Sequence, residues 1–325
     1  HRDLHSFPTR RSSDLIYRRF GTLGSRGFAT TLASGIDMAL WDIKGKALNK
    51  PVWDLLGGKV REKVPVYSHV GFLDKIETAV SDAVRQVNLG YKALKLDPFM
   101  PEMKKSHRRY IDGKISEEGA SYADDLMSEI RKAIGPSIEL MIDAHGNFDV
   151  STATELCNRM KKHNLIWFEE PLQPESIDAH RQLRNNTDIN LCIGERKYTR
   201  WDFAPYLQEG LVNYIMPDIC WTGGISEMKR IATLAETFYI PISPHDASGA
   251  FNVISGAHVL MNVPNIYRLE MTDHSLENYN NVITEPLDIR DGFLHLNNKP
   301  GLGYELNHDF IKSNPDPEWE KIWKN

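Results

Sequence analysis

The chain of 325 residues is poor in cysteine, has no long apolar run and carries no excess of positive charge. Its three cysteines, Cys157, Cys192 and Cys220, offer neither a CxxC spacing nor an even count. That argues against a disulfide framework or a cysteine-held zinc, and for a reducing, cytoplasmic setting. The longest stretch without Asp, Glu, Lys or Arg, residues 247–267, is broken by Ser248, Asn252, Ser255, His258, Asn262, Pro264 and Asn265. It is too polar to span a bilayer, so no membrane association is expected. With 39 Lys and Arg against 44 Asp and Glu the net charge is −5, and no basic cluster interleaved with aromatics occurs. Nucleic acid is therefore not an expected partner. What is present is ample core material, 41% hydrophobic residues and 10% aromatics, which excludes intrinsic disorder.

Residues 1–15 (HRDLHSFPTRRSSDL) have no apolar run for a signal peptide and no helical or strand period. They resemble translated sequencing-adapter sequence and are set aside as a non-native leader, with the chain proper beginning at Ile16.

From Val64 onward short β-rich runs alternate with amphipathic helical stretches. The runs are 64–68, 93–97, 138–143, 166–169, 191–195, 214–218, 240–245 and 266–270. Between the first two, Ile76, Ala79, Val80, Ala83, Val84 and Val87 form one helical stripe within residues 74–88, and Ile225, Met228, Ile231, Leu234 and Phe238 form another later. Strands separated by helices pair in parallel, because each connection is a crossover. No GxGxxG turn follows the first strand, which disfavours an open doubly wound sheet. The expected fold is α/β, a closed barrel.

In such barrels chemistry sits at the carboxyl ends of the strands, where Lys95, Asp97, Asp143, His145, Glu169, Glu195, Asp218, His245 and Glu270 fall. Asp143, Glu169 and Glu195 end successive strands at a spacing of 26 residues. Three carboxylates aimed at one point repel unless a cation neutralises them, and all-oxygen ligands suit Mg²⁺, with Mn²⁺ second. The competing reading makes them helix caps or partners of Arg196 and Lys197. Asp218 and His245 end neighbouring strands, a spacing that lets the carboxylate fix the tautomer of a general base. His145 is either a second cavity-facing histidine or a ring bonded to a loop carbonyl. Glu270 is either a protonated donor to a developing oxyanion or a partner of Arg268.

These residues, with SGIDMALWDIKGKA at 34–47, Glu169-Glu170-Pro171, Gly194-Glu195, Met216-Pro217-Asp218, Gly223-Gly224, Pro244-His245 and Pro300-Gly-Leu-Gly303, resemble the enolase superfamily. Within it the likeness is to the mandelate racemase subgroup, and most to acid-sugar dehydratases of the galactonate dehydratase kind, from about Gly21 to Leu306. The resemblance implies a (β/α)7β barrel in which Asp143, Glu169 and Glu195 hold Mg²⁺ and the Asp218–His245 dyad removes the proton α to a carboxylate. It implies further that Glu270 stabilises the enediolate, that Lys95 contacts the substrate carboxylate and that His145 protonates the departing 3-hydroxyl. Racemases of the subgroup carry a second lysine where this chain has Asp97, which disfavours two-base racemisation and leaves Asp97 as a substrate-binding residue.

The same resemblance implies a capping domain, here a helical remnant at 16–61 and a C-terminal segment at 286–325 around a barrel at 62–285, with the strands expected before Ile16 absent. It also implies an even-numbered homo-oligomer acting on a small sugar acid. The charged run Lys104, Lys105, His107, Arg108 and Arg109, in the connection 98–120, either covers the site or is solvated. Two alternatives stay open: an epimerase with His145 and His245 as opposed bases, and a metal-binding barrel without turnover.

Overall fold

The computed structural model describes residues 26–106 and 112–315. The leader at 1–15, and His107, Arg108 and Arg109 of the charged run, lie outside the described residues. Among the described residues two helices come first, α1 (Phe28–Leu48) and α2 (Val52–Leu55). The barrel follows as β1 (Val64–His69), α3 (Ile76–Asn88), β2 (Ala93–Leu96), α4 (Met100–Ser106), α5 (Glu117–Ile134), β3 (Glu139–Asp143), α6 (Val150–Met160) and β4 (Phe168–Glu169). It continues through α7 (Ile177–Asn186), β5 (Leu191–Ile193), α8 (Thr199–Gln208), β6 (Tyr214–Ile215), α9 (Gly224–Glu236), α10 (Ala250–Asn262) and β7 (Leu269–Glu270). After α11 (Leu276–Asn281) the hairpin β8 (Asp288–Arg290) and β9 (Phe293–His295) runs antiparallel onto β1, and α12 (His308–Ser313) ends the described chain.

Strands β1 to β6 pair in parallel in sequence order, and β7 returns to pair β1. The seventh barrel position, residues 240–245, has irregular backbone. It still bridges Ile242 to Ile215 on one side and to Ile266 on the other, and so closes the ring. All eight expected runs thus occupy the barrel, in the (β/α)7β arrangement. The helices start where side chains replace missing carbonyl partners: Ser116 accepts from the Gly119 amide at 3.0 Å and Asp149 from the Thr152 amide at 2.8 Å.

Period-2 alternation separates two cores. Leu94 and Leu96 of β2, Leu140 and Ile142 of β3 and Phe168 of β4 join the outer core with the helix faces. Tyr67, Ala93, Met141, Trp167, Cys192 and Met216, one from each of six consecutive strand positions, fill the barrel interior. Tyr214 and Tyr267 close on Trp167, with ring centroids 5.1 Å away in each case. The three cysteines are free, and no described helix is long and apolar enough to cross a membrane. Both helical stripes pack as expected at most positions, but Val84 and Phe238, at their margins, are each 36% exposed.

The N-terminal helices are braced against the barrel. Ser34 Oγ accepts from the Gly223 amide and Asp37 Oδ2 from the Ser226 amide, both at 2.9 Å, so α1 caps α9 from outside. A Cβ on Gly224 would lie 2.6 Å from Asp37 Oδ2, which explains the glycine there. The C-terminal segment packs on the same helix. Asp42 Oδ1 accepts from the Leu302 amide at 2.8 Å, and Gly45 lies so close to Gly301 that a Cβ would meet its Cα at 2.5 Å.

Candidate active site

The inward phase of the strands brings the expected ionisable residues to one end of the barrel. Lys95, third residue of β2, is 1% exposed and lies at the centre. Its Nζ is 2.8 Å from Glu270 Oε1, 2.9 Å from Glu169 Oε2 and 3.3 Å from Asp143 Oδ2. Burial alone would strip its proton, but the carboxylates of Glu169 and Glu270 hold it charged.

Asp143, Glu169 and Glu195 are buried, and each offers an oxygen within 4.8 Å of the others. Unit charges about 4 Å apart repel by roughly 4 kcal/mol at an effective dielectric near 20, so one lysine does not settle this cluster. The strain is visible in the proton affinities. Burial and the charge of Asp143 push Glu169 and Glu195 upward. Burial also opposes ionisation of Asp143, but the charges of His145 and Lys95 outweigh it and hold that carboxyl at about 2. Glu169 Oε2 is occupied by Lys95 and by Trp167 Nε1 at 3.2 Å, while its Oε1 is buried with no hydrogen-bond partner. An orphaned carboxylate oxygen in an all-oxygen cluster fits a hard divalent cation. The competing partners are partly engaged: Arg196 pairs with Glu195 at 2.9 Å and with Glu170, while Lys197 turns to the Pro174 carbonyl.

On one flank His245 presents Nδ1 to Asp218 Oδ2 at 2.8 Å and Nε2 to Glu195 Oε2 at 3.2 Å. Asp218 is itself held by Asn252 Nδ2 at 3.1 Å and the Cys220 amide at 2.7 Å. Burial lowers the affinity of His245 for a proton, yet the surrounding carboxylates, led by Glu270, carry it up to about 10.

On the other flank stands His145, whose Nδ1 meets Asp97 Oδ2 at 2.7 Å rather than a loop carbonyl. Its Nε2 lies 3.5 Å from Asp143 Oδ2. Burial again pulls downward, and Asp143 with Asp97 carries this ring to about 9. Asp97, expected to touch substrate, lines the cleft but has both oxygens engaged: Oδ1 takes the Phe99 and Met100 amides, each at 3.0 Å, and Oδ2 takes His145.

Glu270 does not pair with Arg268, which instead reaches Glu139 at 2.7 Å. Besides Lys95 it accepts from the Asp246 amide at 3.0 Å and meets His69 Nε2 at 2.5 Å. Burial favours its protonated form, but Lys95, His245 and His69 override that and hold it well below the carboxylate range. Glu270 is thus an acceptor in this arrangement, and a donor role toward an oxyanion requires that it first gain a proton. His69 is the residue that the sequence reading missed. It shares the inward phase of Tyr67, and carrying the β1 run one residue past Ser68 would have found it.

A cleft of about 400 Å³ opens beside the triad, lined among others by His69, Phe72, Asp74, Lys104, Asp143 and His145. Lys104 and Lys105 of the charged run are exposed.

Comparison with known proteins follows the same outline. Residues 78–310 match the family profile described as enolase C-terminal domain-like, and residues 11–57 match the mandelate racemase / muconate lactonizing enzyme N-terminal domain. The chain is 33% identical over 292 residues to a D-gluconate dehydratase of Thermoproteus tenax, an alignment covering 89% of this chain and 57% of that protein. It is 32% identical over 300 residues to a D-galactonate dehydratase of Pectobacterium atrosepticum, covering 90% and 76%. A crystal structure of a mandelate racemase/muconate lactonizing enzyme-like protein from Rubrobacter xylanophilus superposes with a TM-score of 0.88 at 32% identity, covering 95% of this chain and 83% of that one.

Proposed function

The chain belongs to the mandelate racemase / muconate lactonizing enzyme family of the enolase superfamily, and on that footing we propose that it is a lyase that removes water from a sugar acid. The substrate class is an aldonate or aldarate, and the product a 2-keto-3-deoxy acid. The observation that carries this reading is the buried carboxylate triad flanked by two histidines, each paired with its own aspartate.

Asp143, Glu169 and Glu195 would hold Mg²⁺, with Mn²⁺ a second choice. Bound there, the ion would balance the triad, weaken the anionic field that keeps His245 protonated and stabilise negative charge on the substrate carboxylate. Lys95 adds a fixed ammonium for the same carboxylate. His245, aligned by Asp218, takes the proton at C2 through Nε2. A substrate carboxylate against Glu270 raises the proton affinity of that side chain, so that it takes up a proton from solvent as the substrate enters and then hydrogen-bonds the growing enediolate oxygen through it. His145 gives its Nε2 proton to the leaving 3-hydroxyl, because hydroxide departs poorly from a neutral carbon.

The part at 16–61, with α1 and α2, and the segment at 286–325 would belong to a cap that reads the far end of the substrate, around the barrel at 62–285. A cytoplasmic, even-numbered homo-oligomer completes the proposal.

The test is turnover with Mg²⁺ against hexonates, pentonates and aldarates, scored as 2-keto-3-deoxy product. His145→Asn should lose the water-eliminating step by about 100-fold or more. Unchanged dehydration of every active acid in that variant would sink the reading. The two paired histidines also support an epimerase, which deuterium entry at C2 without water loss would favour.

A further inference from the structure

We propose that Asp97 is a positioning residue that locks the His145 ring with Nε2 toward the substrate, so that proton removal and proton delivery each rest on their own histidine–aspartate pair. This rests on the dehydratase reading above. Asp97 follows β2, is 5% exposed, and divides its two oxygens. Oδ1 accepts from the Phe99 and Met100 amides, both at 3.0 Å, which fixes the carboxylate to the backbone of the following turn. Oδ2 is left for His145 Nδ1 at 2.7 Å.

The histidine is clamped at its other end as well. Its main-chain amide donates to Asp143 Oδ1 at 2.9 Å, and its φ of 50° is a left-handed conformation that non-glycine residues rarely adopt. With backbone and Nδ1 both committed, Nε2 is the remaining polar atom of the ring, and it faces the triad and the cleft. A carboxylate accepts and does not donate, so Asp97 requires a hydrogen on Nδ1. The proton that His145 can give is then the one on Nε2.

The step balances. As the C3–O bond breaks, its electron pair stays with oxygen, the Nε2 proton joins that oxygen, and water leaves. The pair freed at C2 by His245 becomes the C2–C3 double bond, and tautomerisation of that enol gives the 2-keto acid.

Asp97→Asn keeps an oxygen for the Phe99 and Met100 amides but turns an NH2 group toward the ring, which conflicts with a hydrogen on Nδ1. The experiment compares sugar acids with their 3-deoxy-3-fluoro analogues, whose fluoride leaves with less help from an acid. For D97N we expect kcat for water loss to fall about 100-fold with KM within about threefold, and fluoride loss to fall less than about tenfold. H145N should show the same selectivity, and the double variant should be no slower than H145N, since the aspartate acts only through the ring.

Equal losses of hydroxide and fluoride in D97N, a wild-type rate, or multiplying effects in the double variant would each overturn the proposal. If H145N itself keeps water loss, the acid assignment falls and takes the proposal with it, an outcome separable from failure of D97N alone. A readout independent of turnover is the 15N spectrum of the histidine rings, with His145 assigned by its absence in H145N. A protonated Nδ1 that changes state in D97N is expected, and an unchanged signal overturns the role.

Discussion

His245 and His258 are both nearly buried, at 7% and 0% exposure, but burial decides the charge of only one of them. His258 joins α10 to the N-terminal helices and the C-terminal segment: Nδ1 accepts from the Trp53 amide at 3.2 Å and Nε2 donates to the Leu302 carbonyl at 3.0 Å. Burial outweighs the Leu302 carbonyl and the charge of Asp42 and carries it down to about 4. His245 suffers the same burial, but Glu270, Asp218 and Glu195 carry it up to about 10. Carboxylates show the reverse. Asp37, bonded to the amide and hydroxyl of Ser226, is pushed by burial up to about 6, while Asp143 beside His145 and Lys95 stays near 2. In the scaffold burial outweighs the neighbouring charges, whereas at the barrel mouth the neighbouring charges outweigh burial.

The contrast has measurable edges. The largest effect falls at the mouth: His245→Asn should lower both C2 deuterium exchange and water loss by about 10³- to 10⁴-fold, where His145→Asn spares the exchange. Retained exchange in the His245 variant would remove the distinction between base and acid.

Next comes the scaffold histidine. The folded His258 ring takes its proton only near pH 4 and the unfolded ring near 6.5, so the unfolded chain binds more protons between those values. Stability should therefore fall as pH drops through that window, by up to roughly 3 kcal/mol from this ring. Urea midpoints across pH 4 to 7 check it, with His258→Gln expected to flatten the slope and an equal slope in both proteins refuting it.

Slightly smaller is the response to metal. Mg²⁺ at about 100 times its Kd should stabilise the fold by about 2.7 kcal/mol, seen as a raised melting temperature that chelation reverses and Glu169→Gln removes. The smallest is the outer brace, where Asp37→Ala should cost about 1 kcal/mol in urea unfolding through loss of the cap on α9.

Much of this architecture was legible in the sequence because a barrel strand reports its phase. Lys95, Asp143 and Glu169 could be assigned to the mouth from their places at the carboxyl ends of strands, and Gly224 of the Gly223-Gly224 motif has its cause in the Asp37 cap. Alternation tells which way a side chain points but not which neighbour it meets. Arg268 is two residues from Glu270, so it lies on the same side of an extended chain, yet it meets Glu139 across the barrel while Lys95 and His69 take the glutamate. The sequence places Asp97 at the mouth but does not tell that the turn after it takes one oxygen while His145, from the end of the next strand, takes the other. Strand regularity and strand ends were less legible. Residues 240–245 keep a strand's place with only isolated bridges, and His69 fell just past the end assigned to its run.

The aromatic layer formed by Tyr67, Trp167, Tyr214 and Tyr267 lies beneath Lys95 and fills the barrel interior there, among the described residues. The charged groups gathered at the mouth therefore stand on a hydrophobic floor, which keeps water from reaching them from below through the layer.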